Sequence, residues 1–518
     1  MNPGFQFGLS FRKYLNRKQR CLSPAACISV RGTPDWSGEK VVTGWFAESS
    51  LLGMTRGSVY ALLCGLLCTL GAQAAATDSW PQWRGPLGTG EGPKADPPVK
   101  WSATENIKWK VKIPGRGTGT PIIWGNQIFV QTAIPAGKKV ADYPGEIAGP
   151  VLAGQQEQPD RSGQGRGEGR RRGGPGGGGF GRGEKPSEEY QFVIMCIDRK
   201  SGATTWQQTA RQEVPHEGHH QDHTFASASP VTDGEQVFAY FGSRGLYAYD
   251  LNGKLQWSKD FGDMSTRNGF GEGNSPALHG DTLVINWDHE GEDFVAALNK
   301  RTGAELWRQQ RDEATSWSTP LIVEHGGKAQ VVVAASKKVI SYDLKDGKVV
   351  WECTGLTGNV IPTPIYHEGM VYVTSGFRGN ALLAIRLGRS GNLDDTDAIV
   401  WKHNKGTPYV PTPVLYDGKL FVTSHNNPIV SCFDAKTGKA LFEEERLAGL
   451  QGLYASPAAA KDRIYIIGRN GTTAVMKNSE KLELLATNEL GEKVDASPAL
   501  VGRELFVRGH EHLYCIAH

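Results

Sequence analysis

The sequence has no CxxC pair and no adjacent cysteines, so neither a zinc knuckle nor a dithiol redox motif is present. It also lacks GxSxG, P-loop and HExxH motifs, which leaves a hydrolase without sequence support. Long apolar runs are scarce. One stretch, about Ser58 to Leu70, stands out and is too short to span a bilayer comfortably, so a polytopic membrane protein is excluded. Neither sign of charge dominates: 57 basic side chains face 54 acidic ones over 518 residues. With 39% hydrophobic residues the chain is too apolar to be wholly disordered. Helical periodicity is weak, and what the sequence has in quantity is 66 Gly, 28 Pro and 14 Trp, the composition of many short strands joined by tight turns.

From Met54 the chain reads MTRGSVYALLCGLLCTLGAQAAATDSW: one arginine, an apolar run, then small residues at Ala72, Ala74 and Ala76. This is the pattern of a secretory signal and its cleavage site. Residues 54–76 are therefore read as a signal peptide and residues 1–53 as an upstream extension with no structural role. Cys64 and Cys68 each follow Leu, where lipoprotein signals need a small residue, so lipidation is not expected. No transmembrane span remains once the signal is removed. The four later cysteines, Cys196, Cys353, Cys432 and Cys515, each stand alone in an apolar strand-like run and are expected to be buried free thiols.

Processing turns the formal net charge of +3 slightly negative. Residues 161–185 run against that trend, with 7 basic and 2 acidic side chains and 12 glycines. They belong to an insertion at about 135–189 that cannot bury a core and is expected to be disordered. Its RG steps are similar to nucleic-acid-binding tracts, but an exported chain rarely meets RNA, so no nucleic-acid partner is expected.

The organising signal is a repeat. A Ser-Pro or Thr-Pro step recurs with Pro at 121, 230, 276, 320, 364, 413, 457 and 498, and each unit ends on a bulky residue: Trp109, Trp206, Trp257, Trp307, Trp351, Trp401, Phe442 and Leu484. One unit, Ser318 to Trp351, shows apolar runs of strand length broken at Gly326 and Gly327, at Ser336 to Lys338 and at Asp343 to Gly347. That is an antiparallel meander of four strands, A to D. Eight such units predict an all-β fold, an eight-bladed β-propeller, over residues 107–518, preceded by a lead-in at 77–106. The chain ends on a third strand, while Asn106 to Lys112 is a strand D with no blade before it, so the N-terminal strand is expected to complete the C-terminal blade.

In such a blade the D-to-A and B-to-C loops share one face. That face carries the unusual segments: the insertion, HEGHHQDH (216–223), TRNGFGEGN (266–274) and NWDHEGED (286–293). Variable loops on a rigid ring are where binding resides. Arg267, Asn268, Glu272 and Trp317, at the starts of neighbouring A strands, are the candidate ligand contacts, with inter-blade hydrogen bonding as the alternative. Candidate metal ligands are Asp288 and Glu290, whose carboxylates suit calcium, and His219 and His223, whose imidazoles suit zinc or copper. Solvated turns are the alternative for both groups.

The units GATTW, GAELW and GKVVW, each with Asp or Asn four residues before the Gly and a Ser/Thr-Pro strand after the Trp, resemble the pyrroloquinoline-quinone (PQQ) repeat. The resemblance covers about 107–518, and WPQWRG (80–85) is similar to the opening of exported PQQ-like propellers. The family includes quinoprotein alcohol dehydrogenases and the propeller subunit of the outer-membrane protein assembly machine. For an enzyme the resemblance implies PQQ held near the ring axis between a Trp, here Trp317 or Trp287, and a disulfide of adjacent cysteines, which this chain lacks. It also implies calcium on oxygen ligands such as Glu272, Asn274 and Asp288. The reading favoured is an exported, periplasmic or envelope-associated propeller that binds or scaffolds a protein or envelope polymer without catalysis. A PQQ-dependent alcohol or sugar dehydrogenase is the alternative, and an outer-membrane protein assembly factor a further one.

Overall fold

Each Ser/Thr-Pro step opens the innermost strand of a four-stranded antiparallel sheet, and eight such sheets make up the computed structural model, an eight-bladed β-propeller. The structure describes residues 78–137, 184–424 and 426–518. Residues 1–77, on which the expected upstream extension and signal peptide fall, and residues 138–183 of the Gly/Arg-rich insertion lie outside the described residues. Blade 1 contains Ile122–Trp124, Gln127–Pro135, Tyr190–Asp198 and Thr204–Glu213. Blades 2 to 7 span 231–259, 277–310, 321–353, 365–403, 414–446 and 458–489. Blade 8 takes Ala499–Val501, Glu504–Arg508 and His512–Ala517 as strands A to C, and Ile107–Lys112 pairs antiparallel with His512–Ala517 as strand D. Among the described residues helix is confined to two short 3-10 turns, Gly242–Arg244 and Arg267–Gly269. None is long and apolar enough to cross a membrane.

Burial explains the strand composition. Middle strands such as Thr282–Trp287 and Phe294–Asn299 are buried on both faces because each blade is covered by its two neighbours. Outer strands alternate, as in Ile107–Lys112, because one edge meets solvent. Cys196, Cys353, Cys432 and Cys515 are free and buried in this packing, and burial raises each thiol well above the usual range.

The two halves of the repeat have distinct jobs. The residue before the Pro builds a belt around the channel: in six of the eight blades its backbone N–H donates to the hydroxyl of its counterpart in the next blade. Thr120 donates to Ser229, Ser229 to Ser275, Ser275 to Thr319, Thr363 to Thr412, Thr412 to Ser456 and Ser456 to Ser497, all at 2.9 Å. The strand-D tryptophans tie the blades together further out. The Trp109, Trp206, Trp257, Trp307 and Trp401 indoles donate to carbonyls of Arg199, Leu251, Lys300, Leu344 and Ala435 in the following blade, at 2.8–3.0 Å. Each ring lies on the glycine of that blade's C-to-D turn.

Departures from this pattern have local causes. The C-to-D connection of blade 5 is long rather than tight. It places Gly391–Asn392 parallel to the outer strand of blade 4, at Trp351 and Glu352. Trp351 is thereby fully buried and donates to Gln330 in its own blade instead of to a neighbour. Leu484, the last of the bulky marks, is about half exposed, since the next blade has no C-to-D turn for a ring to rest on.

Candidate functional site

The eight residues three positions before the repeat prolines are Thr118, Ser227, Gly273, Trp317, Ile361, Val410, Tyr454 and Asp495, and all eight line one cavity at the loop-rich mouth of the channel. The cavity is about 440 Å³, and Phe270, Phe377 and Tyr409 complete an aromatic wall. The Phe377 and Tyr409 rings stack at 5.1 Å. Trp317, 7% exposed, is fixed by its indole N–H on the Gly271 carbonyl at 2.7 Å and its backbone N–H on Val360 at 2.8 Å.

The channel is a cup rather than a pore, because the lead-in crosses its far end. Trp80 pairs with Ile123 of blade 1, Thr232 of blade 2 donates to Pro81, and Gly90 and Gly92 pair with Ala459 of blade 7. Between them Trp83 lies between the cup and a second cavity of about 230 Å³ on the other side, with its indole on Ser497 of the hydroxyl belt at 3.4 Å. Arg84, 3% exposed, donates to the carbonyls of Thr89, Pro413 and Pro457. Burial without a carboxylate lowers its pKa to about 9.

The mouth is narrowed by the histidine-rich loop, which folds inward rather than into solvent. Asp222 accepts from Arg469 of blade 7 at 2.8 Å and from the Tyr454 hydroxyl at 3.1 Å. Arg469 lies over the Tyr454 ring at 3.9 Å and also pairs with Asp495, to which His510 is bonded at 2.8 Å. Burial alone would raise the Asp222 and Asp495 carboxyls, but Arg469 and its companions hold both below the usual range. Burial also drops the His223 imidazole to about 4, helped by His219 beside it. The cup therefore offers aromatic faces, a neutral imidazole and two carboxylates that share one guanidinium and keep the wall acidic.

The residues singled out in the sequence scatter around this cup. Trp317 and His223 line it. Arg267 and Asn268 form the 3-10 turn above it, Asn268 with a positive φ of 55°. The Arg267 backbone N–H donates to the Thr315 hydroxyl at 2.8 Å. Burial raises the Tyr409 phenol above its usual range, and the Asn359 side chain and the Arg267 charge offset only part of that rise. Glu272 faces away from the axis, accepting from the Ser243 N–H at 2.6 Å and hydroxyl at 2.5 Å. Asp288 is enclosed with Arg311 and takes further bonds from Ser316 and Asn286. Glu290 accepts from Thr315. His219 and His223 stand 6.2 Å apart, each with Nδ1 bonded to a backbone carbonyl. Sequence reasoning missed Asp222, Asp495, Tyr454, Tyr409, Phe270 and Trp83. The fixed offset from the repeat Pro would have found Asp495 and Tyr454.

These residues do not fit PQQ with calcium. Trp287 is packed in the core against Phe294 and cannot serve as a floor, and the isolated buried cysteines offer no disulfide wall. Asp288 is consumed by Arg311, and the wall opposite Trp317 presents the carboxylates of Asp222 and Asp495, which oppose a planar polycarboxylate.

Solved structures share the architecture. A europium-containing methanol dehydrogenase matches with a TM-score of 0.53 at 10% identity, over 86% of this chain and 92% of its own. The quinohemoprotein alcohol dehydrogenase of Comamonas testosteroni matches with a TM-score of 0.53 at 10% identity, over 87% and 82%. BamB from Moraxella catarrhalis matches with a TM-score of 0.47 at 14% identity, over 63% and 93%. At such identities the likeness is one of fold. No curated protein matches the chain in sequence. The family model described as outer membrane protein assembly factor BamB matches residues 170–289 and 291–517, more than half of the chain, so the protein belongs to this family of PQQ-like β-propellers.

Proposed function

We propose that the protein is an exported, non-catalytic binding module, and that its aromatic cup seats a group projecting from a protein or polymer of the cell envelope. One observation carries this reading: the residues three before each repeat Pro converge from all eight blades on a cup closed at its far end by Trp83. A closed, aromatic-lined recess with a few fixed polar groups suits recognition. Its acidic side chains are held by Arg469, and where the Ser227 hydroxyl meets neutral His223 Nδ1 at 3.3 Å both atoms are also bonded to Thr224, which ties the pair into the loop as structure. The family description names an outer-membrane assembly factor, which favours a protein partner.

The test is photocrosslinking in growing cells with p-benzoylphenylalanine in place of Phe377 or Tyr409 in the full chain. The expected result is a discrete adduct with an envelope component, absent when the probe replaces Val349 on an outer strand. Saturable quenching of tryptophan fluorescence by PQQ with calcium, together with dye reduction by an alcohol or sugar, would replace this reading with a dehydrogenase.

A further inference from the structure

Beside the cup, off the channel axis, lies a third and smaller cavity of about 30 Å³, room for one ion or one water. It sits beneath the loop leaving blade 1, the 3-10 turn of blade 2 and the loop leaving blade 2. The ligand atoms of His216, Glu217 and Glu272, one from each side chain, lie within 4.8 Å of one another there. Two carboxylates at that distance repel each other unless a proton or a cation stands between them. Among the described residues neither Glu217 nor Glu272 has an ion pair. The nearby guanidinium, Arg244, is paired with Glu213 and Asp263.

Each carboxylate is fixed by neutral donors only, Glu217 by the Thr266 N–H and hydroxyl and Glu272 by the Ser243 N–H and hydroxyl. These donors set orientation and leave lone pairs free. The same cavity is lined by two side chains with unpartnered buried atoms: the Tyr240 hydroxyl, in a residue 1% exposed, and Asn274 Oδ1, in a residue 4% exposed. A buried hydroxyl and amide oxygen without partners each cost free energy unless something fills the space. His216, with Nε2 protonated, donates to the Met264 carbonyl at 2.6 Å, which leaves Nδ1 as its donor atom. Arg244 Nη2 rests on that nitrogen at 2.6 Å and also donates to Asp263, so an ion at this site would take the place of the guanidinium on His216.

From this geometry we infer a divalent cation site formed by Glu217, Glu272 and His216, completed by Asn274 Oδ1 and the Tyr240 hydroxyl, for an ion of the manganese or zinc class. Two carboxylates and one imidazole in a cavity that admits a single small ion select a borderline transition metal over a large, oxygen-only ion. Ion binding would also brace the loop that carries His219, Asp222 and His223 to the cup.

The full chain, freed of metal by a chelator, is titrated with Mn²⁺ and followed by loss of the free-ion electron paramagnetic resonance signal, then with Zn²⁺ and Ca²⁺ by calorimetry. One Mn²⁺ or Zn²⁺ per chain is expected, with Ca²⁺ weaker, and Glu217→Gln and Glu272→Gln should each weaken binding roughly tenfold or more. Circular dichroism and the metal-free unfolding midpoint establish that each variant is folded. Should a variant not fold, His216→Gln serves in its place. The site is refuted if neither ion binds at about millimolar concentration, if Ca²⁺ binds best, or if folded variants retain the affinity.

Discussion

The backbone N–H of Thr363 donates to the hydroxyl of Thr412 at 2.9 Å, one blade further round the ring. Both residues are buried, but the Thr363 hydroxyl itself has no partner. The hydroxyl belt is interrupted at this point, as it is at Thr120, and the interruption supplies its own control. Thr412→Val should strand the Thr363 N–H and cost about 1–3 kcal/mol, whereas Thr363→Val, equal in shape, should be neutral or slightly stabilising. Urea unfolding midpoints measure both. Equal costs would mean that the belt contributes nothing beyond packing.

Gly347, with a φ of +73°, lies under the Trp307 ring, where a Cβ would stand 2.7 Å from the indole. Gly326 in the same blade has a φ of +57° with open space around it. Gly326→Ala should cost about 1–2 kcal/mol for backbone strain alone. Gly347→Ala should exceed it by about 1–3 kcal/mol because the indole must also move. Thermal unfolding of the pair tests whether the Trp and Gly contact, rather than turn geometry, joins the blades.

The propeller was legible because its repeat is built from two marks with one physical role each. A Pro begins a strand where the inner edge lacks a ladder partner, and a Trp ends one where a ring must lie on the next turn. Loop destinations were not legible. Nothing local in HEGHHQDH says that Asp222 will reach Arg469, because that contact joins residues 247 positions apart across the mouth. Nor does NWDHEGED reveal that Asp288 is spent on Arg311, for the pairing depends on burial, which charge alone does not encode. The sequence of residues 77–106 marks them only as a lead-in to the first strand. Its role in closing the channel arises from bonds to blades 1, 2, 6 and 7 that no periodicity records.

His223 makes the stability of the mouth depend on pH. Its folded pKa of about 4 lies below the ordinary histidine value near 6.5, chiefly through burial and then through His219. The unfolded chain therefore takes up a proton that the folded chain refuses. The contribution is fully present above about pH 6.5 and is lost as pH falls towards 4. His219, lowered in the same direction by burial, adds to it. The Asp222 and Asp495 carboxyls, held low, lose their contribution only at still lower pH. After allowance for partial exposure the His223 share is about 1–2 kcal/mol. Between pH 7 and 4.5 the urea midpoint should fall, and His223→Gln should remove much of that fall. An unchanged slope in the variant would assign the dependence to other groups.

Trp83 divides the channel. Its ring borders the cup on one side and the second cavity on the other, and it is held by the lead-in strands and by Ser497. Trp83→Ala should join the two cavities, admit water to the back of Trp317 and lower stability by about 2–3 kcal/mol, less than for a fully enclosed indole because the ring is only partly buried. The loss should be local. Amide exchange should quicken in peptides covering 80–92 and 455–460, where Gly90 and Gly92 pair with Ala459, while outer strands such as Glu305–Gln310 keep their protection. Uniform acceleration over all blades would show instead that the lead-in supports the whole ring. If the cup is the binding seat, the crosslink from Phe377 should weaken in Trp83→Ala, since a recess open at both ends no longer shields its contents from water.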